Sequence, residues 1–379
     1  MKNRRIVLFG AGVVGTKFVM RNWNNITIDF FFDNVREGKF LDYPIRKPDY
    51  YEDVFIIVTT QAYLEIREQL NGIGYKEFDD FIPSEIYGKK MAIAYGNCHM
   101  ASVKQYLERN RQFSSEYGFY PFPQIQDMKP DFKYENIIKK CDLFIHQSIR
   151  ENNIFGGVYS SKSLLSYINS KCKVVAIPNL YGMPKYLFPQ LTTKYKFKHE
   201  YDVYPFYIDS NIVTWLKDGK SEDEIIKLIM AGGVYKKEEI INMWNAFCEK
   251  MREREKEWDI KISNYILTNY KNEKIFCDIN HISSKTSKEI AVCTLKFLGY
   301  ESIRENIELP LSDSLEAFIY PDVKKALGLQ YEEKFIRRYS KFHCFDHCEM
   351  DMKEYYNQLC QYTTYCLETD IFIEDDFTE

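Results

Sequence analysis

Apolar residues in this chain gather in short runs that stop at glycine or at a polar side chain. Residues 6–9 and 54–58 are such runs, and 28–32 is one apart from Asp29; they predict buried parallel strands, whose two covered faces leave little polar alternation. Helical periodicity follows the first run through Val19 and the third over 63–70. The rhythm returns downstream, with strands predicted at 91–95, 141–145 and 173–177 and helices at 101–107 and 287–298. Strand and helix in alternation predict an α/β protein built on parallel sheets.

At 379 residues the chain exceeds what one hydrophobic core usually organises, so two domains are expected. Pro83 and the polar Gly88-Lys89-Lys90 mark the first boundary. The reading is a small Rossmann-like domain over 1–88, a larger α/β domain with helical additions over 89–330, and a helical C-terminal extension over 331–379.

The first run enters Gly10-Ala11-Gly12-Val13-Val14-Gly15 and then a helix. Bare glycines between a strand and a helix let a phosphate approach the backbone and the helix N-terminus. Asp33, at the end of the second strand, stands where an acidic side chain would bind a ribose hydroxyl. Gly10, Gly12, Gly15 and Asp33 are therefore candidates for holding a nucleotide or nucleotide-sugar. The alternative is a glycine turn that only tightens helix–strand packing. A region of this size lacks the second half of a dinucleotide fold, which argues against hydride chemistry.

The strand at 91–95 ends in Gly96-Asn97-Cys98-His99 and leads into a helix. That arrangement lifts a side chain above a sheet, and a helix N-terminus lowers a thiol's pKa and offers N–H groups to an oxyanion. Cys98 is the candidate nucleophile. Strand 141–145 ends at His146-Gln147 and strand 173–177 at Pro178-Asn179, so polar groups gather where parallel sheets place ligands. Far downstream, Asp278-Ile279-Asn280-His281 sets an acid three residues before a histidine. Asp278 can orient His281 as a general base, with His99 as its competitor. Gly96, Asn97, Gln147 and Asn179 are expected to converge around a ligand, with Gly96, His99 and Asn179 as candidates for binding the cofactor. Arg252 and Arg254 are candidates for phosphate contact, although the neighbouring Glu253, Glu255 and Glu257 suggest a solvated, self-paired face.

Charge narrows the choice of partners. Fifty-one basic against 55 acidic residues give a net charge of -4, without the basic surplus of a duplex nucleic-acid binder. The 30 Tyr and 27 Phe supply a ring-rich core, and such rings also stack on sugars and adenine. No window approaches the roughly 18 apolar residues of a membrane span. The run at 6–9 is too short for a secretory leader. Ten scattered Cys read as reduced thiols, so a cytoplasmic protein is expected. His343-Cys344 and His347-Cys348 share a helical face, but two adjacent pairs do not converge on one ion, and no metal is expected.

Gly96-Asn97-Cys98, Gln147 and Asp278 with His281 resemble the Gly-Asp-Ser, strand-end Asn and Asp-x-x-His blocks of the SGNH hydrolase and acyltransferase fold. The resemblance implies a Cys in place of the Ser nucleophile, with Asn97 and Gln147 serving the oxyanion. A narrower resemblance, over most of 91–330, is to the WcbI-type capsular-polysaccharide acetyltransferase family. Besides the blocks above, it is carried by Phe188-Pro189-Gln190-Leu191, Arg252-Glu253-Arg254-Glu255 with Asp259-Ile260, Asn280-His281, Leu309-Pro310-Leu311 and Ile319-Tyr320-Pro321. His99 stands where that family commonly has Gln, and Ile282 where Pro is usual. The resemblance implies binding of coenzyme A or acetyl-CoA and O-acetylation of a capsule sugar. Residues 7–15 and 32–34 are similar to the N-terminal domain of PglD-type sugar acyltransferases, which cradles a nucleotide-sugar. A thiol esterase on acylated glycans and a non-catalytic CoA or nucleotide-sugar binder are the rival readings. The sequence leaves a homo-oligomer open.

Overall fold

Strand β1 (Arg5–Phe9) is the centre of the first sheet, and its alternation shows how the sheet is covered. Val7 and Phe9 enter one buried cluster, while Leu8 enters another with Phe18 and Val19 of α1 (Val13–Asn22). The other members are β2 (Ile28–Phe32), β3 (Lys39–Phe40), β4 (Tyr43–Arg46), β5 (Val54–Val58) and, beyond α2 (Tyr63–Ile73), β6 (Phe81–Pro83). Their order is β3-β4-β2-β1-β5-β6. Every pairing is parallel except β3 with β4. The structure is a computed structural model describing residues 4–130, 133–153, 155–192, 195–197, 207–301, 317–333, 335–337, 348–369 and 372–374.

A second sheet has the order β10-β9-β7-β8, formed by β7 (Lys90–Tyr95), β8 (Tyr117–Phe119), β9 (Leu143–Gln147) and β10 (Lys173–Ile177). Both neighbours of β7 run parallel to it. Between β7 and β8 come α3 (Cys98–Arg109) and α4 (Arg111–Glu116); α5 (Tyr134–Ile138) precedes β9, and α6 (Ser161–Leu165) precedes β10.

Two compact units result: residues 1–95 with 111–174, and 96–110 with 175–379. Residue 88, the expected boundary, lies between the two sheets of the first unit. One buried cluster spans both sheets, from Val7 and Phe30 to Phe144 and Leu164. Glu77 pins it: its carboxylate accepts from Tyr63 and Tyr120 hydroxyls, each at 2.6 Å, and from Arg67 Nε at 2.6 Å.

The second unit holds α3 and resumes within β10. Three short strands follow, β11 (Leu191–Thr192), β12 (Tyr195–Phe197) and β13 (Ile208–Asp209), then α7 (Ser210–Lys217), α8 (Glu222–Ala231), α9 (Lys237–Arg254), α10 (Ser263–Asn269), α11 (Ser284–Leu298) and α12 (Pro321–Leu327). The C-terminal region is not purely helical. Hairpin strands β14 (Phe335–Arg337) and β15 (Cys348–Met350) precede α13 (Met352–Glu368), and β16 (Phe372–Glu374) pairs back with β12. Helix α13 packs on α7 and α8 and buries Tyr355, Tyr356, Leu359 and Cys360. Asp209, wholly buried, caps α7 and accepts the Tyr320 hydroxyl at 2.7 Å. Residues 343, 344 and 347 of the His/Cys pairs, and 309–311, lie outside the described residues. Among those described, no helix is long and apolar enough to cross a membrane.

Several elements differ from expectation at their ends, α1 and α2 by running three residues further, to Asn22 and Ile73. Helix α3 begins at Cys98 and not at 101, because the Asn97 side chain caps it by accepting the His99 N–H at 3.0 Å. Helix α11 begins at Ser284 for the same reason, with Ser283 as its cap. Strand β9 runs from 143 to 147 rather than 141 to 145, so His146 and Gln147 lie inside it. Asp142 is instead a junction: its carboxylate accepts the Met91 N–H and its carbonyl the Lys173 N–H.

Candidate functional site

Helices α3 and α11 pack side by side, and the chemistry gathers at their N-terminal ends. Cys98, a half-buried free thiol, is the first residue of α3. The loop before α11 is closed by a bridge between Phe276 and Ile282 and by a Cys277 N–H bond to the His281 carbonyl at 2.8 Å. Within it Asp278, almost fully buried, accepts the Asn280 and His281 N–H groups on Oδ1, at 2.7 and 2.8 Å. Its Oδ2 meets His281 Nδ1 at 2.7 Å.

His281 also hydrogen-bonds Cys98. Burial alone would lower its pKa, but the bonds to Asp278 and Cys98 and the charge of both push it up to about 10. Nδ1 is committed to Asp278, so Nε2 is the nitrogen that serves the thiol. Cys98, His281 and Asp278 thus form one line, with the acid fixing the ring and the ring meeting the sulfur.

His99 has another place. It is 3% exposed, and its Nε2 meets the Asn280 carbonyl. Burial and the neighbouring His281 charge lower its pKa to about 4, against a smaller opposing pull from Asn280 and Asp278. A neutral ring turned inward ties α3 to the Asp278 loop. Asn280, which sequence reasoning treated only as part of a block, is a hub. Besides these backbone bonds, its Nδ2 donates to the Tyr207 hydroxyl at 2.8 Å and its Oδ1 accepts the Gly182 N–H at 3.1 Å. Tyr207 and Tyr181 also join the site. Neither stands in a motif, and Tyr207 lies 74 positions before His281, so only the fold reveals them.

Asn97 donates to Asn179 Oδ1 at 3.3 Å, and the Asn179 carbonyl accepts from Arg254 Nη1 at 3.3 Å. Asn97, Asn179 and Arg254 are therefore connected to the head of α3, whereas Arg252 is exposed. The expected self-pairing of the charged helix fails at Glu255, whose carboxylate instead accepts the Ile262 and Ser263 N–H groups and the Ser263 hydroxyl ahead of α10. Gly96 is buried in the turn. Gln147, also buried, belongs to the first unit, and its carbonyl accepts the Ser161 hydroxyl at 2.7 Å. It follows His146, which pairs with Tyr95 across β7 and β9.

The glycine turn of the first unit is organised differently. Gly10 has φ +114°, and an added Cβ would lie 2.7 Å from the Thr59 carbonyl oxygen; at Gly15 it would lie 2.4 Å from the Gly10 carbonyl oxygen. Gly12 faces open space. Asp33 accepts from the Ala11, Val35 and Arg36 N–H groups. Burial opposes its charge, yet these donors hold its pKa below the ordinary value. This carboxylate braces its own loop and ties it to the glycine turn at Ala11.

Residues 91–302, more than half of the chain, match the family model described as polysaccharide biosynthesis enzyme WcbI. The chain belongs to the WcbI family. A solved WcbI structure, described as a novel polysaccharide biosynthesis enzyme and as the native protein without a disulfide bond between CoA and one of its cysteines, aligns with TM-score 0.58 at 16% identity. The alignment covers 75% of this chain and 92% of that one, and at this identity it speaks for the fold alone. No curated protein matches the chain. Membership of the WcbI family makes this chain a polysaccharide biosynthesis enzyme by class.

Proposed function

We propose that this WcbI-family chain is a CoA-dependent O-acyltransferase that delivers an acyl group, acetyl foremost, to a sugar hydroxyl of a bacterial surface polysaccharide. The hydrogen-bonded line Cys98–His281–Asp278 at the head of α3 carries the reading. The description of the WcbI relative, which pairs CoA with a cysteine, supports the choice of donor. The side chains suit such a donor: a half-buried thiol for the thioester end, and Arg254 and the exposed Arg252 for the phosphates. Bound acyl-CoA would supply an activated acyl thioester. An SGNH-like reading of the second α/β region agrees with these roles.

The geometry supports the following roles. Cys98 is the nucleophile, taking the acyl group as its own thioester. His281 gives its Nε2 proton to the departing thiolate and, once neutral, takes the proton of the sugar hydroxyl that attacks acyl-Cys98. Asp278 holds Nδ1–H throughout, so the tautomer never inverts. The Cys98 N–H, first in α3, serves the oxyanion.

Labelled acetyl-CoA and acetylated sugar test this directly. Cys98→Ala and His281→Ala should each lower transfer by several orders of magnitude. Near-wild-type transfer by Cys98→Ala alongside inactive His281→Ala would leave His281 activating the hydroxyl without a covalent step. Full activity in both discards the assignment, and hydrolysis of acetylated sugar without transfer would make the chain an esterase. For the first unit, the proposed ligand of the Gly12 turn is a nucleotide or nucleotide-sugar, as at the N-terminal domain of PglD-type enzymes. It is supported by the open space at Gly12 and by the absence of a side-chain cap on α1.

A further inference from the structure

Two tyrosines flank the histidines of the site. The Tyr207 and His281 ring centroids are 6.3 Å apart, and those of Tyr181 and His99 are 6.4 Å apart. Each tyrosine is fixed to the site itself. The Tyr181 N–H donates to Asn179 Oδ1 at 3.2 Å, and the Tyr207 hydroxyl accepts from Asn280 at 2.8 Å. The two histidines are the neighbours of the nucleophile, His99 next to Cys98 in the chain and His281 as its partner in the site, so both tyrosine rings border the Cys98 end of α3. Tyr181 is 49% exposed, so a large ring beside the nucleophile keeps an open face, as ligand-binding aromatics do.

The ligand can be deduced from the sulfur outward. With a thioester at Cys98, the adenine of CoA lies a full pantetheine arm away and cannot rest on rings beside the sulfur. The group that must come up to acyl-Cys98 is the acceptor hydroxyl, with its sugar ring attached. A pyranose offers an apolar C–H face to an aromatic ring and polar hydroxyls at its edge, which match a tyrosine's apolar body and polar tip. We infer that Tyr181 and Tyr207 form the acceptor subsite, a stacking platform for a pyranose ring next to Cys98. This rests on the acyl-transfer reading above.

Saturation-transfer NMR on the full chain tests it, with a panel of methyl pyranosides and adenosine 3′,5′-bisphosphate as probes. Ring C–H protons of at least one pyranoside should be saturated in the wild type and in Tyr181→Phe, and the signal should be lost in Tyr181→Ala and weakened in Tyr207→Ala. The bisphosphate signal should persist in all four proteins. In the transfer assay, Tyr181→Ala should raise the acceptor KM about tenfold, equivalent to about 1.4 kcal/mol, and move the donor KM far less. No pyranoside signal in the wild type, or one that survives Tyr181→Ala, overturns the platform. Loss of the bisphosphate signal instead would make it an adenine site. Failure of the acyl-transfer reading looks different: Cys98 would remain unacylated with acetyl-CoA by mass spectrometry, whatever the pyranosides do.

Discussion

The chain contains two strand–turn–helix junctions that look alike in sequence, at Gly10 to Gly15 and at Gly96 to His99, and they use their polar groups in opposite ways. At the first, Asp33 accepts two N–H groups of its own loop and the Ala11 N–H of the glycine turn, and two of the three glycines are required by carbonyl oxygens lying close to them. At the second, Asn97 caps the helix and leaves Cys98 facing a histidine from a loop 183 positions away. A glycine turn becomes chemically active when a distant segment completes it. The first turn is completed from the neighbouring strand of its own sheet and the second by the loop before α11.

The largest effect should come from the piece that completes the second junction. Asp278→Asn keeps an oxygen for the backbone N–H groups but offers Nδ1 a donor, which favours the wrong tautomer. Turnover should fall roughly a thousandfold or more, with the fold intact by circular dichroism. The pH response supplies an independent readout. In the wild type, the His281 pKa is raised from 6.5 to about 10, so the stability its charged form contributes is fully present below 6.5 and lost as pH rises through about 10. In Asp278→Asn that loss should occur at lower pH, toward the ordinary value. An unchanged alkaline limb, in melting and in rate, would remove Asp278 as the orienter.

Next in size is the carboxylate that unites the two sheets of the first unit. Glu77→Ala strips Tyr63 and Tyr120 hydroxyls of a partner in the core and takes the carboxylate from Arg67. With Glu77 only 7% exposed, the loss should be about 3 to 5 kcal/mol, read as a lower urea midpoint. A shift confined to probes of one sheet would mean that the sheets unfold separately.

How much of this was legible in the sequence follows from where the information resides. Strand β5 could be bounded to the residue because a buried parallel strand is written as a contiguous apolar run, and β2 and β10 because their apolar residues outweigh one polar residue each, Asp29 and Lys173. The Asp278–His281 relation could be read because both members share one loop. The displacement of β9 could not, since Asp142 leaves the strand to bond Met91, a partner 51 residues away. His99 was hidden similarly: only the packing of α3 against α11 shows that its ring is sealed under the Asn280 carbonyl. Tyr181 and Tyr207 carry no local signal among 30 tyrosines.

A smaller effect separates the glycines of the first junction. Gly15→Ala sets a Cβ 2.4 Å from the Gly10 carbonyl oxygen, a contact that only a backbone shift relieves. The expected cost is about 1 to 3 kcal/mol, seen in chemical denaturation. A neutral substitution would mean that the turn is looser than its geometry.

Gly12→Ser, the smallest change, sharpens the comparison most. Gly12 is the N-cap of α1 with φ -137° and ψ -163°, an extended conformation that any residue adopts, and its side-chain space is empty. No side chain caps α1, so a serine hydroxyl could accept an N–H of the first turn, as Asn97 does for α3. Serine exceeds glycine at this position by only about a few tenths of a kcal/mol, so the melting temperature should rise slightly. The same hydroxyl would occupy an N–H that a phosphate needs. Calorimetry with ADP and with a UDP-sugar on the wild type and on Gly12→Ser therefore separates the two uses of the turn. A stabilised variant whose nucleotide affinity falls marks a phosphate cradle. A stabilised variant with unchanged affinity makes Gly12, like Gly10 and Gly15, a part of the fold, and leaves Cys98 at the one junction of the pair that chemistry completes.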